Sequence, residues 1–305
     1  MRILVLGAQG QIGWELVRAL QPQGEVIGLT RADADLARPA QLRDVVRRAA
    51  PQVIFNAAAY TDVDGAEDDA AQAFAVNQDA VELLAAEAAA RGALLVHFST
   101  DYVFSGESSL PYTEDDAPAP LNVYGHSKLG GELALRASRA DWLCLRVSWV
   151  YSLRRRCFLT TVLRRLAQGL PVDAPDDQIG APTWSRMIAE ACAMILPQTC
   201  RERSAGEFAS ELLHLAAAGQ TSRRGWAEAV AGHTLTAPMP MAMQTALHAL
   251  DELDHADRLS QSLAQRPQSS RLACGRMKTR YGVRLPDWQL SMQRCLIQVA
   301  GETGL

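Results

Sequence analysis

The stretch "MRILVLGAQGQIGWELVRAL" (residues 1–20) decides the fold. It holds a short apolar run, a glycine turn and the start of an amphipathic pattern, in that order. Ile3 to Leu6 are apolar in succession, which reads as a strand buried on both faces rather than half-exposed. Gly7, Gly10 and Gly13 follow, and a helical pattern opens at residue 11. N–H groups at a helix start lack intrahelical partners and lie at the positive end of the helix dipole, so they can hold a pyrophosphate. Gly7 permits the tight turn, Gly10 lets the backbone approach phosphates, and Gly13 lets helix and strand pack closely. Strand, glycine turn and helix together point to dinucleotide binding. The apolar run is too short for a membrane span, and Gly7 and Gln9 break it where a secretory leader would continue.

The same rhythm continues outward from this unit. Strand-like runs fall at 2–7, 25–30, 52–56, 93–98, 142–148 and 212–216. Helical patterns lie between them at 11–21, 39–50, 70–91, 123–138, 156–168 and 184–196. Short apolar strands alternating with helices predict an α/β fold, a doubly wound parallel Rossmann sheet with ligands at the C-terminal strand ends. Residues 1–150 are expected to form the dinucleotide-binding core, joined by later strands from about 170–175 and 212–216. Residues from about 151 to 305 are expected to contribute a smaller, mostly helical substrate-binding lobe. Within it 236–270 shows no clear strand, and a last helix starts near Asp287.

The composition fits an ordinary soluble domain: 305 residues, 48% hydrophobic, 21% charged, net charge −4. A mildly acidic chain has no general pull toward nucleic acid or membrane. The six cysteines form no C-x-x-C pair, so free thiols in a reducing cytoplasm are expected. The run Arg154-Arg155-Arg156 reads as solvated surface or a small anion site.

The second strand ends at Thr30 and Arg31. An acid at that point would hold the ribose 2′-hydroxyl of NAD, whereas Arg31 suits the 2′-phosphate of NADPH. NADPH is therefore the expected cofactor, with NADH as the alternative, because Asp33 and Asp35 stand close by.

Of 30 Lys and Arg residues only Lys128 and Lys278 are lysines. Lys128 follows Tyr124 by four positions, which puts both on one helix face. An adjacent ammonium is expected to lower the phenol pKa and make Tyr124 a usable proton donor. Ser99 and Thr100 end the fourth strand, where a hydroxyl can donate to a bound carbonyl.

The glycine spacing, "NAAAYT" (56–61), "STDYVFSG" (99–106), Tyr124-x-x-x-Lys128 and "RVSWVY" (146–151) together resemble the extended short-chain dehydrogenase/reductase family. "APLNVYGHSKLGGE" (119–132), "DDQIGAPT" (176–183) and "RLPDWQ" (284–289) are similar to its branch that reduces dTDP-linked 4-keto-6-deoxy sugars. The resemblance implies NADPH-dependent reduction of the C4 ketone of dTDP-4-dehydro-6-deoxy-L-lyxo-hexose. It makes Thr100, Tyr124 and Lys128 the catalytic triad. Gly7, Gly10, Gln11, Ile12 and Gly13 would bind cofactor phosphates, Thr30 and Arg31 the ribose end, and Asp35 and Leu36 would flank the adenine. Ala57, Ala58 and Ala59 would line the cofactor, Lys128 would hold its ribose, and Val63, Tyr102 and Trp149 would contact the sugar nucleotide.

The C-terminal part departs from the family pattern. Arg223 and Arg224 stand where aromatic residues are usual, and Ser269 where Asn is usual. Arg266 and Arg271 are expected to hold the diphosphate. Some relatives carry a metal that uses the position of Glu15; Arg186 replaces one of its acids, so no metal is expected. The expected partner is a dTDP-linked keto sugar, with no nucleic acid or membrane, in a monomer or homodimer. The alternatives are a reductase of another nucleotide 4-keto sugar, or a non-catalytic regulatory subunit of the methionine adenosyltransferase beta-subunit type.

Overall fold

The computed structural model describes residues 1–236 and 264–301. Six strands form one sheet: β1 (Arg2–Leu6), β2 (Glu25–Leu29), β3 (Val53–Asn56), β4 (Leu94–Thr100), β5 (Asp141–Val147) and β6 (Glu211–His214). Their order is β2-β1-β3-β4-β5-β6 and every pairing is parallel. Among the described residues the helices longer than one turn are α1 (Gln11–Ala19), α2 (Pro39–Ala49), α3, α4 (Val123–Ala137), α5 (Phe158–Ala167), α6 (Ser185–Ala205), α7 (Arg223–Thr236), α8 (Gly275–Tyr281) and α9 (Trp288–Gly301). The α3 segment runs from Ala70–Phe74 through a π-helical turn at Ala75–Asp79 into Ala80–Arg91.

The period-two alternation of the strands divides the core between the two faces of the sheet. Ile3, Val5, Val96, Phe98, Leu143 and Leu145 face α1 and α6, where Leu16, Ile188, Cys192 and Ile195 complete one layer. Leu4, Leu6, Ile54, Leu95 and Cys144 face the other side, against Leu42 and Val46 of α2, Leu84 and Ala88 of α3, and Leu135 of α4. Each such side chain, fully buried, contributes roughly 1.5–3 kcal/mol. Both faces are covered, which is why these strands read as unbroken apolar runs.

A third core lies beside the sheet. Tyr151, Leu159, Trp226, Trp288 and Met292 bring α5, α7 and α9 together. Two small ladders position this lobe: Val150–Tyr151 runs parallel to Thr183–Trp184, and Ile179–Gly180 runs antiparallel to Thr221–Ser222. The strand expected at 170–175 does not form. Pro171 and Pro175 bracket that segment, and neither has an N–H to give a ladder. Residues 237–263, which hold most of the stretch 236–270, lie outside the described residues. Among the described residues no helix is long and apolar enough to cross a membrane. All six cysteines are free thiols.

β1 has β2 on one side and β3 on the other, so the crossovers leave it in opposite directions. In an open parallel sheet that reversal opens a crevice at the carboxyl ends of the strands. Gly7 follows β1, and Ala57 follows β3, at that crevice.

Candidate active site

The glycine turn is sterically closed to any other residue at two positions. Gly7 has φ +77°, a left-handed conformation, and a Cβ there would lie 2.8 Å from the Ala58 nitrogen. A Cβ on Gly13 would lie 2.1 Å from the Gly7 carbonyl oxygen, so only glycine lets α1 sit this close to β1. The Gly10 N–H donates to the Gly7 carbonyl at 2.8 Å and closes the turn. No side chain caps α1 and no acid stands in its first turn, which leaves the N–H groups of Gln11 and Ile12 to an outside acceptor. The buried Gln11 Oε1 has no hydrogen-bond partner. This is a cradle a dinucleotide pyrophosphate fits.

At the end of β2, Thr30 is tied to Asp33: its N–H and hydroxyl both donate to Asp33 Oδ2, at 2.9 and 2.7 Å. Those bonds hold the Asp33 carboxyl below the usual carboxylate range. Arg31 is exposed and only loosely paired with Asp35, at 3.7 Å. The Leu36 side chain is 5% exposed and belongs to the core under α2, which leaves the backbone beside Asp35 for the expected adenine contact. Ala57, Ala58 and Ala59 line the crevice, half-buried. Glu15 pairs with Arg186 at 3.1 Å, and among the described residues no group of His, Cys, Asp and Glu is placed to hold a metal.

The helix bearing Tyr124 and Lys128 starts at Asn122. Asn122 Oδ1 accepts from the Gly125 N–H at 2.7 Å, and its Nδ2 donates to the Gln265 carbonyl at 2.8 Å. The π-helical turn in α3 brings Asn77 to the same helix: Nδ2 donates to Ser127 Oγ at 2.9 Å, and Oδ1 accepts from Tyr60 N–H at 2.9 Å. Asn77 therefore locks α4 to the loop that follows β3. Sequence reading missed it, since its only signal is a buried polar residue inside a helical stretch.

Thr100 and Tyr124 meet at the carboxyl end of β4. The Thr100 hydroxyl donates to Asp101 Oδ1 at 3.0 Å and accepts from the Tyr102 N–H at 3.2 Å. Ser148 donates to Asp101 Oδ2 at 3.0 Å, so the buried carboxylate is held from both sides. The Tyr124 and Tyr102 rings meet edge to face, 5.8 Å apart. Burial pushes the Tyr124 phenol well above its ordinary value, and hydrogen bonding with Thr100 offsets part of that.

The expectation that Lys128 lowers the phenol pKa is corrected here. The Lys128 ammonium donates to the Phe98 carbonyl at 2.6 Å and faces His97 Nε2 at 3.3 Å. Four-residue spacing aligned the two side chains on one face, but the long lysine arm turns into the sheet, and the charge felt by Tyr124 is that of Asp101. Burial pulls Lys128 itself down to about 8. His97 is also buried and held neutral by burial and by Lys128, and its Nδ1 faces Asn56 Nδ2 at 3.2 Å. Ser99 turns away from the crevice and donates to Glu132 at 2.5 Å. Glu132 also holds the fully buried Arg146, at 2.8 and 2.6 Å.

The polar and aromatic residues expected to contact the substrate each have partners within the protein. Tyr102 lies against Tyr124, and half-buried Val63 precedes Asp64. Arg266 is held by Asp64 in a two-pronged ion pair at 3.1 and 2.8 Å. Arg271 spends its donors on Ser269 Oγ, Gln220 Oε1 and the carbonyls of Ser108 and Ser109. Both arginines are thus engaged within the protein, so a diphosphate expected on them would share their N–H groups with Asp64, Ser269 and the Ser108 and Ser109 carbonyls. Trp149 is 8% exposed and has φ +45°, a strained conformation for an aromatic residue. Its ring packs against the Gly180 backbone, and the Arg223 guanidinium lies over it, 3.7 Å from the ring centroid.

The model of the RmlD substrate binding domain matches residues 1–300 of this chain. A dTDP-4-dehydrorhamnose reductase of Burkholderia thailandensis is 44% identical over 298 residues, 97% of this chain and 98% of that protein. One from Escherichia coli K12 is 36% identical over 309 residues, covering all of both chains. Among solved structures, the dTDP-4-dehydrorhamnose reductase of Bacillus anthracis in complex with NADP superposes with a TM-score of 0.81 at 25% identity, over 97% of this chain and 99% of that one.

Proposed function

We propose, because this chain belongs to the RmlD substrate binding domain family, that it uses NADPH to reduce the C4 ketone of dTDP-4-dehydro-6-deoxy-L-lyxo-hexose, giving dTDP-L-rhamnose. NADH is the alternative donor, and the cytoplasm is the proposed setting. The activity named for near-full-length relatives supports this reading. The observation that carries it is the Thr100–Tyr124 pair beside the glycine cradle, at the crevice of the sheet.

Residues 1–150 hold the dinucleotide, with the first-turn N–H groups of α1 on its pyrophosphate, and the lobe from 151 onward closes on the sugar nucleotide. When bound, NADPH supplies hydride to the carbonyl carbon. Tyr124 donates its phenolic proton to the carbonyl oxygen, and Thr100 hydrogen-bonds that oxygen as charge grows on it once its hydroxyl proton turns from Asp101. Reduction needs a phenol that arrives protonated. Burial keeps Tyr124 so at neutral pH, and the Thr100 bond eases loss of the proton. Lys128 spends two of its three donors on Phe98 and His97, which leaves the third for a cofactor ribose hydroxyl.

The test is NADPH oxidation by the purified protein given the freshly made dTDP-ketosugar, beside a panel of other nucleotide 4-keto sugars. Tyr124→Phe is expected to lower kcat by about 10²–10⁴ with cofactor affinity retained. Absence of cofactor consumption with the dTDP-ketosugar would overturn the assignment, and turnover of another member of the panel would move it there.

A further inference from the structure

Arg223 opens α7 and reaches back to the sheet. Its guanidinium lies 3.7 Å over Trp149, 5.0 Å from the Phe158 ring and 5.8 Å from the Trp226 ring. It is hydrogen-bonded to the Tyr102 side chain. Tyr102 in turn packs on Tyr124, so Arg223 stands one side chain away from the proton donor.

The other buried or half-buried arginines of the site have carboxylate partners: Arg146 has Glu132, Arg186 has Glu15 and Arg266 has Asp64. Among the described residues no carboxylate lies within ion-pairing distance of Arg223. Asp101 attracts the guanidinium from beyond ion-pairing distance, and holding a half-buried cation without a paired carboxylate is costly. Three aromatic faces repay part of it, since a guanidinium stacks well on an indole. What they leave unmet is the part of its in-plane N–H fork not turned to Tyr102, and such a fork suits a phosphate or carboxylate. Burial lowers the Arg223 pKa, Tyr102 and Asp101 draw it part of the way back, and Arg266 adds a smaller lowering.

The stacked guanidinium covers one face of Trp149. On the reading of this protein as a sugar-nucleotide reductase, we propose that Arg223 is a substrate-binding residue that takes the diphosphate of the nucleotide sugar on its N–H fork, held in place by Trp149. Trp149 then acts as a positioning residue. Its strained backbone turns the indole beneath the guanidinium instead of offering it to the substrate.

The experiment titrates thymidine diphosphate and thymidine into the NADPH-loaded protein, as wild type, Arg223→Ala and Arg223→Lys, by calorimetry. Arg223→Ala is expected to weaken thymidine diphosphate by about 10- to 100-fold, the usual effect of losing hydrogen bonds to a charged group. Thymidine binding should stay unchanged, and Arg223→Lys should fall between, since it keeps the charge and loses the fork and the stacking. The wild-type affinity should also fall more steeply with salt than that of Arg223→Ala. NADPH affinity serves as the check on folding; if Arg223→Ala fails it, Arg223→Gln decides on the same criterion. Equal thymidine diphosphate affinity in variant and wild type would overturn the proposal, as would a wild type that binds no nucleoside diphosphate of any base. An equal loss for thymidine would overturn it too, since the role would then not be anion binding. A wild type that binds the diphosphate through Arg223 but oxidises no NADPH with the ketosugar would sink the reductase reading and leave this one standing.

Discussion

Lys128→Met offers a test in which the magnitude comes from one buried group. Burial pulls the Lys128 pKa from its ordinary 10.5 down to about 8. The unfolded chain therefore binds this proton up to about pH 10.5 and the folded chain only to about pH 8, so between those values stability rises with pH. The gap corresponds to roughly 3 kcal/mol against the folded state below pH 8, relieved progressively above it. Between about pH 7 and 9.5 the wild type should gain about 2 kcal/mol relative to Lys128→Met, which has no such proton. Urea unfolding of both proteins without cofactor, at a series of pH values, measures this difference, and the titrations common to both cancel. Methionine also strands the Phe98 carbonyl and His97 Nε2, at roughly 1–3 kcal/mol each. The offset at neutral pH is therefore small or of either sign, and the slope carries the test. A stability difference that stays flat across this range would refute the burial argument.

Three further outcomes follow from the geometry. Gly13→Ala places a methyl against the Gly7 carbonyl, so NADPH affinity should drop at least tenfold while the far lobe keeps its near-ultraviolet circular dichroism. Glu132→Gln leaves the fully buried Arg146 without its carboxylate, and should cost about 3–5 kcal/mol in urea unfolding. Arg31→Ala should lower kcat/KM for NADPH and leave that for NADH nearly unchanged; a wild type preferring NADH tenfold would end the assignment of Arg31 to the 2′-phosphate.

Some of this protein is legible from residue order alone. The apolar runs of β1 to β5 are local, and their unbroken character already says that both faces of the sheet are covered. Gly7 and Gly13 are legible for the same reason: a tight turn and a close helix–strand approach are properties of a dozen consecutive residues. Thr100 and Tyr124 were read from a strand end and a helix face, and the fold does bring them together. That the Leu36 side chain turns inward was not legible, because adjacency to Asp35 says nothing about which neighbour joins the core. The 170–175 strand failed because an apolar residue between prolines still lacks the donors of a ladder.

Residue order carries the wound sheet and the glycine turn, because short-range periodicity and turn geometry encode them. The tertiary structure alone decided the electrostatics. Whether an ammonium serves a phenol or a backbone carbonyl depends on where a four-carbon arm ends. Whether a given arginine meets a carboxylate or an indole depends on chain segments far apart in sequence: Asp64 meets Arg266 and Trp149 meets Arg223 only once the second lobe has packed onto the first. Charge in a protein is set by desolvation and by partners a few ångströms away, and neither is written in the order of residues along one strand or helix.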